Sequence, residues 1–243
     1  MPNLITSIPF EKIEKIKLVK TIVANESIVD VSKRVNCDYA INGGDFNLAT
    51  LKPGSWAVAD KEVLGTGYSG FGFAFVENRL PVWSYCNNRD ADNFIGCFND
   101  YYNAQALRKY NPEIPFDTSI RGRTAIGINE DSFVIGVATD SDVLSMGSQI
   151  FLRYLVEKFN CIQVINLDGG ASSQFFMSGK QYVHDTRRPP YYICIWLTKD
   201  LFTRYYRVQA GSWTSRANAD NAVDKLKAIG YDAFITIYDK PEA

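Results

Sequence analysis

Three short segments, two turns and the start of a strand, hold the residues best suited to chemistry. The densest is Asn166-Leu167-Asp168-Gly169-Gly170-Ala171-Ser172-Ser173, where an apolar run ends in a carboxylate, two glycines and two hydroxyls. Glycine lets backbone approach a ligand closely, and successive N–H groups can line an anion-binding concavity. The same composition also makes an ordinary tight turn. A second turn, Asn42-Gly43-Gly44-Asp45-Phe46, again sets an amide and a carboxylate around two glycines. The third segment, Arg123-Thr124-Ala125-Ile126-Gly127, opens a strand with a guanidinium whose planar fork suits phosphate or carboxylate. Asp45, Asp140 and Asp168 are hard oxygen donors that would also suit calcium or magnesium, although no recognisable loop for either ion is present.

Other sequence signals point away from familiar chemistries. Gly65-Thr66-Gly67-Tyr68-Ser69-Gly70 has dinucleotide-binding spacing, but alternating phenylalanines follow it where a helix would have to begin. It reads as a structural glycine turn. His184 is the sole histidine, and neither a serine-nucleophile elbow nor a zinc-binding helix motif exists. The cysteines Cys37, Cys86, Cys97, Cys161 and Cys194 form no CxxC pair and read as buried thiols.

The elements that must position these turns follow from periodicity. Ile28, Val31 and Val35 recur at helical spacing, and residues 37–41 read as a strand delivered to Asn42-Gly43-Gly44. Phe71, Phe73 and Phe75 with residues 80–85 predict a β-hairpin, and residues 101–110 read as a helix. Residues 123–128 and 132–138 predict paired strands across Asn129-Glu130-Asp131. A helix over 145–159 then leads to a buried strand at 161–167, which ends in the Asp168 turn. Residues 191–197 make another apolar strand. After a boundary near 198–203, residues 205–210, 215–229 and 232–237 predict a small β-α-β unit, with Ser215 as N-cap and Gly230 as stop.

The three motifs, in this order and at these separations, resemble the phosphodiester glycosidase family over residues 25–198. Members of that family carry an Asn-Gly turn, an Arg-Thr-Ala-Ile-Gly strand and an Asn-Leu-Asp-Gly-Gly-Gly-Ser-Ser turn. Here Asp45 stands where an aromatic is usual, and Ala171 replaces the third glycine. The resemblance implies hydrolysis of a glycosyl phosphodiester through an oxocarbenium-like state. Asp168 is then the key carboxylate, Arg123 the phosphate clamp, and Asp45 or Asp140 a second carboxylate. Substrate contacts are expected from Asn42, Gly43, Gly44, Asn166, Gly169, Gly170, Ser172 and Ser173. A further family-like arginine falls at Arg187 or Arg188, with Arg188 taken as the substrate contact. Tyr206-Arg207-Val208-Gln209-Ala210-Gly211-Ser212-Trp213, followed by residues 215–234, resembles the first half of a SPOR domain, a peptidoglycan-binding module.

Composition bounds the partners. A chain of 243 residues with 46% hydrophobic and 22% charged residues supports one sizeable core and a small appendage. The formal net charge of −1, with scattered basic residues, offers no footprint for nucleic acid or an anionic membrane surface. The expected fold class is α+β, a mixed and largely antiparallel sheet core with packed helices and a C-terminal β-α-β appendage. Domain bounds are set at 1–24 for a lead-in, 25–200 for the glycosidase-like domain and 204–243 for the SPOR-like segment. The opening residues mix charge with apolar side chains, which predicts synthesis in the cytoplasm without a signal peptide and action at a bacterial wall after phage-type release. Two alternatives use the same features: a wall-binding or phage structural module without turnover, and a cytoplasmic hydrolase of soluble glycosyl phosphates. The expected partners are a glycan or glycosyl-phosphate substrate, peptidoglycan, and a second copy through the C-terminal segment.

Overall fold

The computed structural model describes residues 4–23, 26–67, 71–76, 79–85, 91–97, 101–103, 119–140, 147–183, 187–198 and 215–228. In chain order the elements begin with β1 (Leu4–Pro9), β2 (Ile13–Lys20), α1 (Ile28–Val35), β3 (Tyr39–Asn42), β4 (Ala57–Ala59), β5 (Glu62–Gly65), β6 (Phe71–Phe75) and β7 (Val82–Tyr85). They continue with β8 (Asn93–Gly96), β9 (Tyr101–Asn103), β10 (Arg123–Ile128), β11 (Ser132–Ala138), α2 (Ser148–Phe159), β12 (Gln163–Asn166), β13 (Phe175–Met177), β14 (Lys180–Val183), β15 (Tyr191–Leu197) and α3 (Arg216–Ala228). The chain divides into two units, Met1–Lys199 and Asp200–Ala243.

The described strands of the first unit make three five-stranded sheets, ordered β1-β11-β10-β12-β9, β14-β13-β3-β15-β2 and β5-β4-β8-β6-β7. Every described pairing is antiparallel. Successive strand residues point to opposite faces, so each sheet divides its apolar residues between two cores. Ile126, Phe133, Ile135 and Ile165 of the first sheet meet Ile41, Phe175 and Ile193 of the second and Phe73 and Ile95 of the third in one central cluster. On the first sheet's other face, Ala125, Val134 and Val164 receive Phe151, Leu152 and Leu155 of α2. On the second sheet's other face, Ala40, Phe176, Tyr192 and Cys194 receive Ile28 and Val31 of α1. This is the mixed, largely antiparallel α+β architecture expected from the sequence.

Local signals explain the helix ends. Ser27 Oγ accepts from the Asp30 amide at 3.1 Å while Asp30 Oδ2 accepts from the Ser27 amide at 3.2 Å, a reciprocal capping box. Such a cap contributes about 1 kcal/mol. Both α1 and α2 end on a left-handed asparagine, Asn36 at φ 53° and Asn160 at φ 52°. The β10–β11 turn is closed by Asn129, whose Oδ1 accepts from the amides of Asp131 and Ser132.

Two expectations change. Within residues 1–24, read as a lead-in, Leu4–Pro9 and Ile13–Lys20 are strands of the first and second sheets, β1 pairing with β11 and β2 with β15. The register shift at Trp196/Leu197 breaks the period-two pattern of β2, which hid it. Residues 101–103, read as the start of a helix, form β9, because Tyr101 and Tyr102 pair with Ile165 and Val164 at the sheet edge. The remainder of that segment, His184, Cys86, and the strands expected at 205–210 and 232–237 lie outside the described residues. Of the C-terminal unit, α3 is described, with Ala219, Ala222, Val223 and Leu226 as its less exposed face. Cys37, Cys97, Cys161 and Cys194 are buried free thiols.

Candidate functional site

The site is built where β3 of the second sheet and β10 and β12 of the first run out together. Asn42, at the end of β3, ties the two sheets. Its Oδ1 accepts from Thr124 Oγ1 at 2.9 Å and the Gln174 amide at 3.0 Å. Its Nδ2 donates to the Asp168 carbonyl at 2.8 Å and the Gly43 carbonyl at 3.1 Å. An asparagine side chain has two donors and two acceptor positions, so every one is used inside the protein. Asn42 therefore fixes the Asp168 turn.

The glycines beside it answer to Tyr191, the first residue of β15. A Cβ on Gly43 would lie 2.4 Å from the Tyr191 ring, and one on Gly44 would lie 3.0 Å from the Tyr191 hydroxyl. That hydroxyl accepts from the Gly44 amide at 3.0 Å, and the Asp168 amide donates to the Gly43 carbonyl at 3.3 Å. Gly43 and Gly44 thus admit a buried ring, where the sequence suggested that they admit a ligand. Burial in this network pushes the Tyr191 phenol well above its ordinary value.

Asp168 follows β12. Its Oδ1 accepts from the Gly169 amide at 2.9 Å, and Ser172 supplies a hydroxyl hydrogen bond. Arg187 Nη1 lies 4.0 Å from Asp168 Oδ2 and donates to Ser172 Oγ at 3.3 Å. Carboxylate, hydroxyl and guanidinium form one connected triangle. Burial raises the Asp168 carboxyl above its ordinary range, against the lowering effects of Ser172, Arg187 and the Gly169 amide; the nearby charge of Asp45 raises it further.

Asp45 is the second carboxylate of the site. Burial raises its proton affinity, and Ser55 partly offsets this with a hydrogen bond. Its Oδ1 is buried without a hydrogen-bond partner among the described residues, as are Asn166 Oδ1 and Ser173 Oγ. Gln174 Oε1 is a fourth, and since buried oxygens of this kind are normally satisfied, the group marks a place built for polar contacts. Asn166 Nδ2 is used by the Leu167 carbonyl.

The remaining expected residues take supporting positions. Arg123 is only 4% exposed, and its Nη2 donates to the Ser119 carbonyl at 2.9 Å and Oγ at 3.1 Å. Asp140 Oδ1 accepts from the Gly122 amide, and the Gly122 carbonyl accepts from the Gly170 amide at 2.7 Å. The Gly169 and Gly170 amides are thus engaged by Asp168 and Gly122, not presented as an open anion cradle. Gly170 holds φ +57°, a left-handed conformation that suits glycine, and a Cβ on Gly169 would lie 2.5 Å from the Gly122 carbonyl oxygen. Ala171 has no positive φ, so its methyl is accommodated. Arg188 acts on Asp30 and Tyr192 at the α1 side, and of the two candidate arginines it is Arg187, not the expected Arg188, that lies beside Asp168. Among the described residues no three His, Cys, Asp or Glu side chains gather in a metal-binding group.

Gln174, Ser55 and Tyr191 were missed by sequence reasoning. Gln174 Nε2 donates to the Arg187 carbonyl at 2.7 Å, and the Arg187 amide donates to the Ala171 carbonyl at 3.2 Å, which fixes the arginine's backbone. Each of the three carries an ordinary strand or turn residue type, with no spacing to signal its partner.

The phosphodiester glycosidase family profile matches residues 35–196, and the SPOR domain profile matches residues 203–242. With well over half of its length matched, the chain belongs to the phosphodiester glycosidase family and carries a SPOR domain at its C-terminus. Among solved structures it is similar to the catalytic domain of zebrafish N-acetylglucosamine-1-phosphodiester alpha-N-acetylglucosaminidase, auto-inhibited by its pro-peptide. That likeness has a TM-score of 0.61 at 16% identity and covers 80% of this chain and 82% of that one. A hypothetical protein from Synechocystis gives a TM-score of 0.61 at 9% identity, covering 79% of this chain and 58% of that one. At these identities the likeness is one of fold. None of the curated proteins compared gives a match.

Proposed function

We propose that the protein hydrolyses the bond between an anomeric carbon and phosphate in a sugar-1-phosphodiester, with Asp168 as the central carboxylate. The observation that carries this reading is the Asp168, Ser172 and Arg187 triangle at the end of β12. As the glycosidic bond lengthens, positive charge grows on the sugar ring and negative charge on the departing phosphate. A partly desolvated carboxylate opposes the first, and a guanidinium beside it opposes the second. Arg187 suits the clamp better than Arg123, since 36% of its side chain is exposed. Water adds to the anomeric carbon, the carbon–oxygen bond breaks with its electron pair on the phosphate monoester, and the water's proton passes to Asp45, whose raised affinity suits a base.

Membership in the family and the fold shared with the zebrafish glycosidase support N-acetylglucosamine-1-phosphodiesters as the first substrates to try. The SPOR domain supports wall glycan as the place of action. Calcium or magnesium would find its oxygens in Asp45 and Asp168; loss of turnover on chelation, restored by either ion, is the result that assigns it a role.

The test compares hydrolysis of such phosphodiesters by the native protein, Asp168→Asn and Arg187→Gln at matched folded fraction. Asp168→Asn is expected to lose at least about a hundredfold in kcat, and Arg187→Gln at least about tenfold, as loss of charge stabilisation at a reacting centre does. Full activity in Asp168→Asn would remove the reading.

A further inference from the structure

Next to the carboxylate site runs a groove for which hydrolysis at the anomeric carbon has no use. It encloses about 380 Å³ between the end of β2, the Leu51-Lys52-Pro53 segment, β5 and Pro190-Tyr191. Ile22, Val23, Leu51 and Val63 line it while 69%, 60%, 42% and 53% exposed, four of the ten large apolar side chains exposed among the described residues. Single exposed apolar residues are ordinary, whereas a cluster of them in one groove marks a binding surface. Leu51 is also held at φ 55°, a left-handed conformation that costs a leucine energy. Its amide donates to the Asn47 carbonyl at 2.7 Å, and the Asn47 amide donates to the Lys52 carbonyl at 2.9 Å, so the turn itself fixes the backbone there.

Shared residues join the groove to the site. Tyr191 lines the groove and takes the Gly44 amide on its hydroxyl. Pro53 lines it too, and the next residue, Gly54, packs on Asp45: a Cβ there would lie 2.0 Å from Asp45 Oδ2.

We infer that this groove is the aglycone subsite, and that the substrate's phosphate carries an alkyl chain which lies along Ile22, Val23, Leu51 and Val63. The inference rests on the hydrolysis proposed above. Burial of about two methylenes is worth about tenfold in binding, so even a shallow groove discriminates.

The experiment measures kcat/KM for the octyl and the glyceryl diester of one sugar-1-phosphate. It uses the full chain and a Leu51→Asn/Val63→Thr double variant. Asparagine tolerates the left-handed turn and threonine keeps the β-branched shape, so both replacements suit their backbones. The native protein should favour the octyl diester by at least about tenfold, and the double variant should lose most of that ratio. Equal rates on the two diesters, or a preference that survives in the variant, overturn the subsite and leave the hydrolysis standing. No turnover of either diester overturns both. A change of oligomeric state in the variant with an unchanged ratio gives the groove to a second copy, and so overturns the subsite as well.

Discussion

A carboxylate withdrawn from water holds its proton more tightly, and Asp168 does so although Ser172, Arg187 and the Gly169 amide favour its charge. The consequence for stability has a definite sign. Its folded pKa lies above the ordinary 3.8, so its favourable contribution is complete below that value and is lost as pH rises through the folded pKa. Asp168→Asn carries no such loss. The melting temperature of the variant minus that of the native protein should therefore increase from acid to neutral pH, whatever hydrogen bonds the asparagine gains or forfeits. A difference that is flat or shrinks over that range would show that Asp168 is not desolvated as described. At this scale the sequence was informative about residue type: a carboxylate, two glycines and two serines in one turn read as a site. It was uninformative about direction. Asn42, Arg123 and Asp140 each carry the right chemistry, yet Asn42 is consumed by four internal hydrogen bonds, Asp140 serves the Gly122 amide and Arg123 is buried against Ser119. Arg187 and Arg188 are adjacent and identical in type, and only the start of β15 decides which of them meets Asp168.

Between elements, the critical contact is β15 beneath the β3 turn. Tyr191 is fully buried, its ring fills the space a Gly43 side chain would need, and its hydroxyl takes the Gly44 amide. The ring has nowhere to retreat. Gly43→Ala should cost about 1–3 kcal/mol by overpacking, read as a lower midpoint in denaturant unfolding. A variant as stable as the native protein would mean that the turn and the strand are not in contact. Elements with clean periodicity were legible: β10 and β11 fall on 123–128 and 132–138, and β15 on 191–197. The β2 strand was not, because a bulge against β15 puts its apolar residues out of alternation. The β9 strand was not either, since three residues with two tyrosines carry no period of their own and take their conformation from β12.

For the molecule as a whole, the order of three motifs along the chain points to the family because a fold that gathers distant segments must keep both their order and their separations. Fold and family leave open which bond of the phosphodiester is broken, since a carboxylate beside an arginine could serve attack at carbon or at phosphorus. Turnover of an N-acetylglucosamine-1-phosphodiester in water enriched in oxygen-18 decides between them. Cleavage at the anomeric carbon puts the label in the released sugar and none in the phosphate monoester, which is the outcome the Asp168 site requires. Label in the phosphate monoester would mean attack at phosphorus, and would contradict the assignment of Asp168 as the group that stabilises a charged sugar.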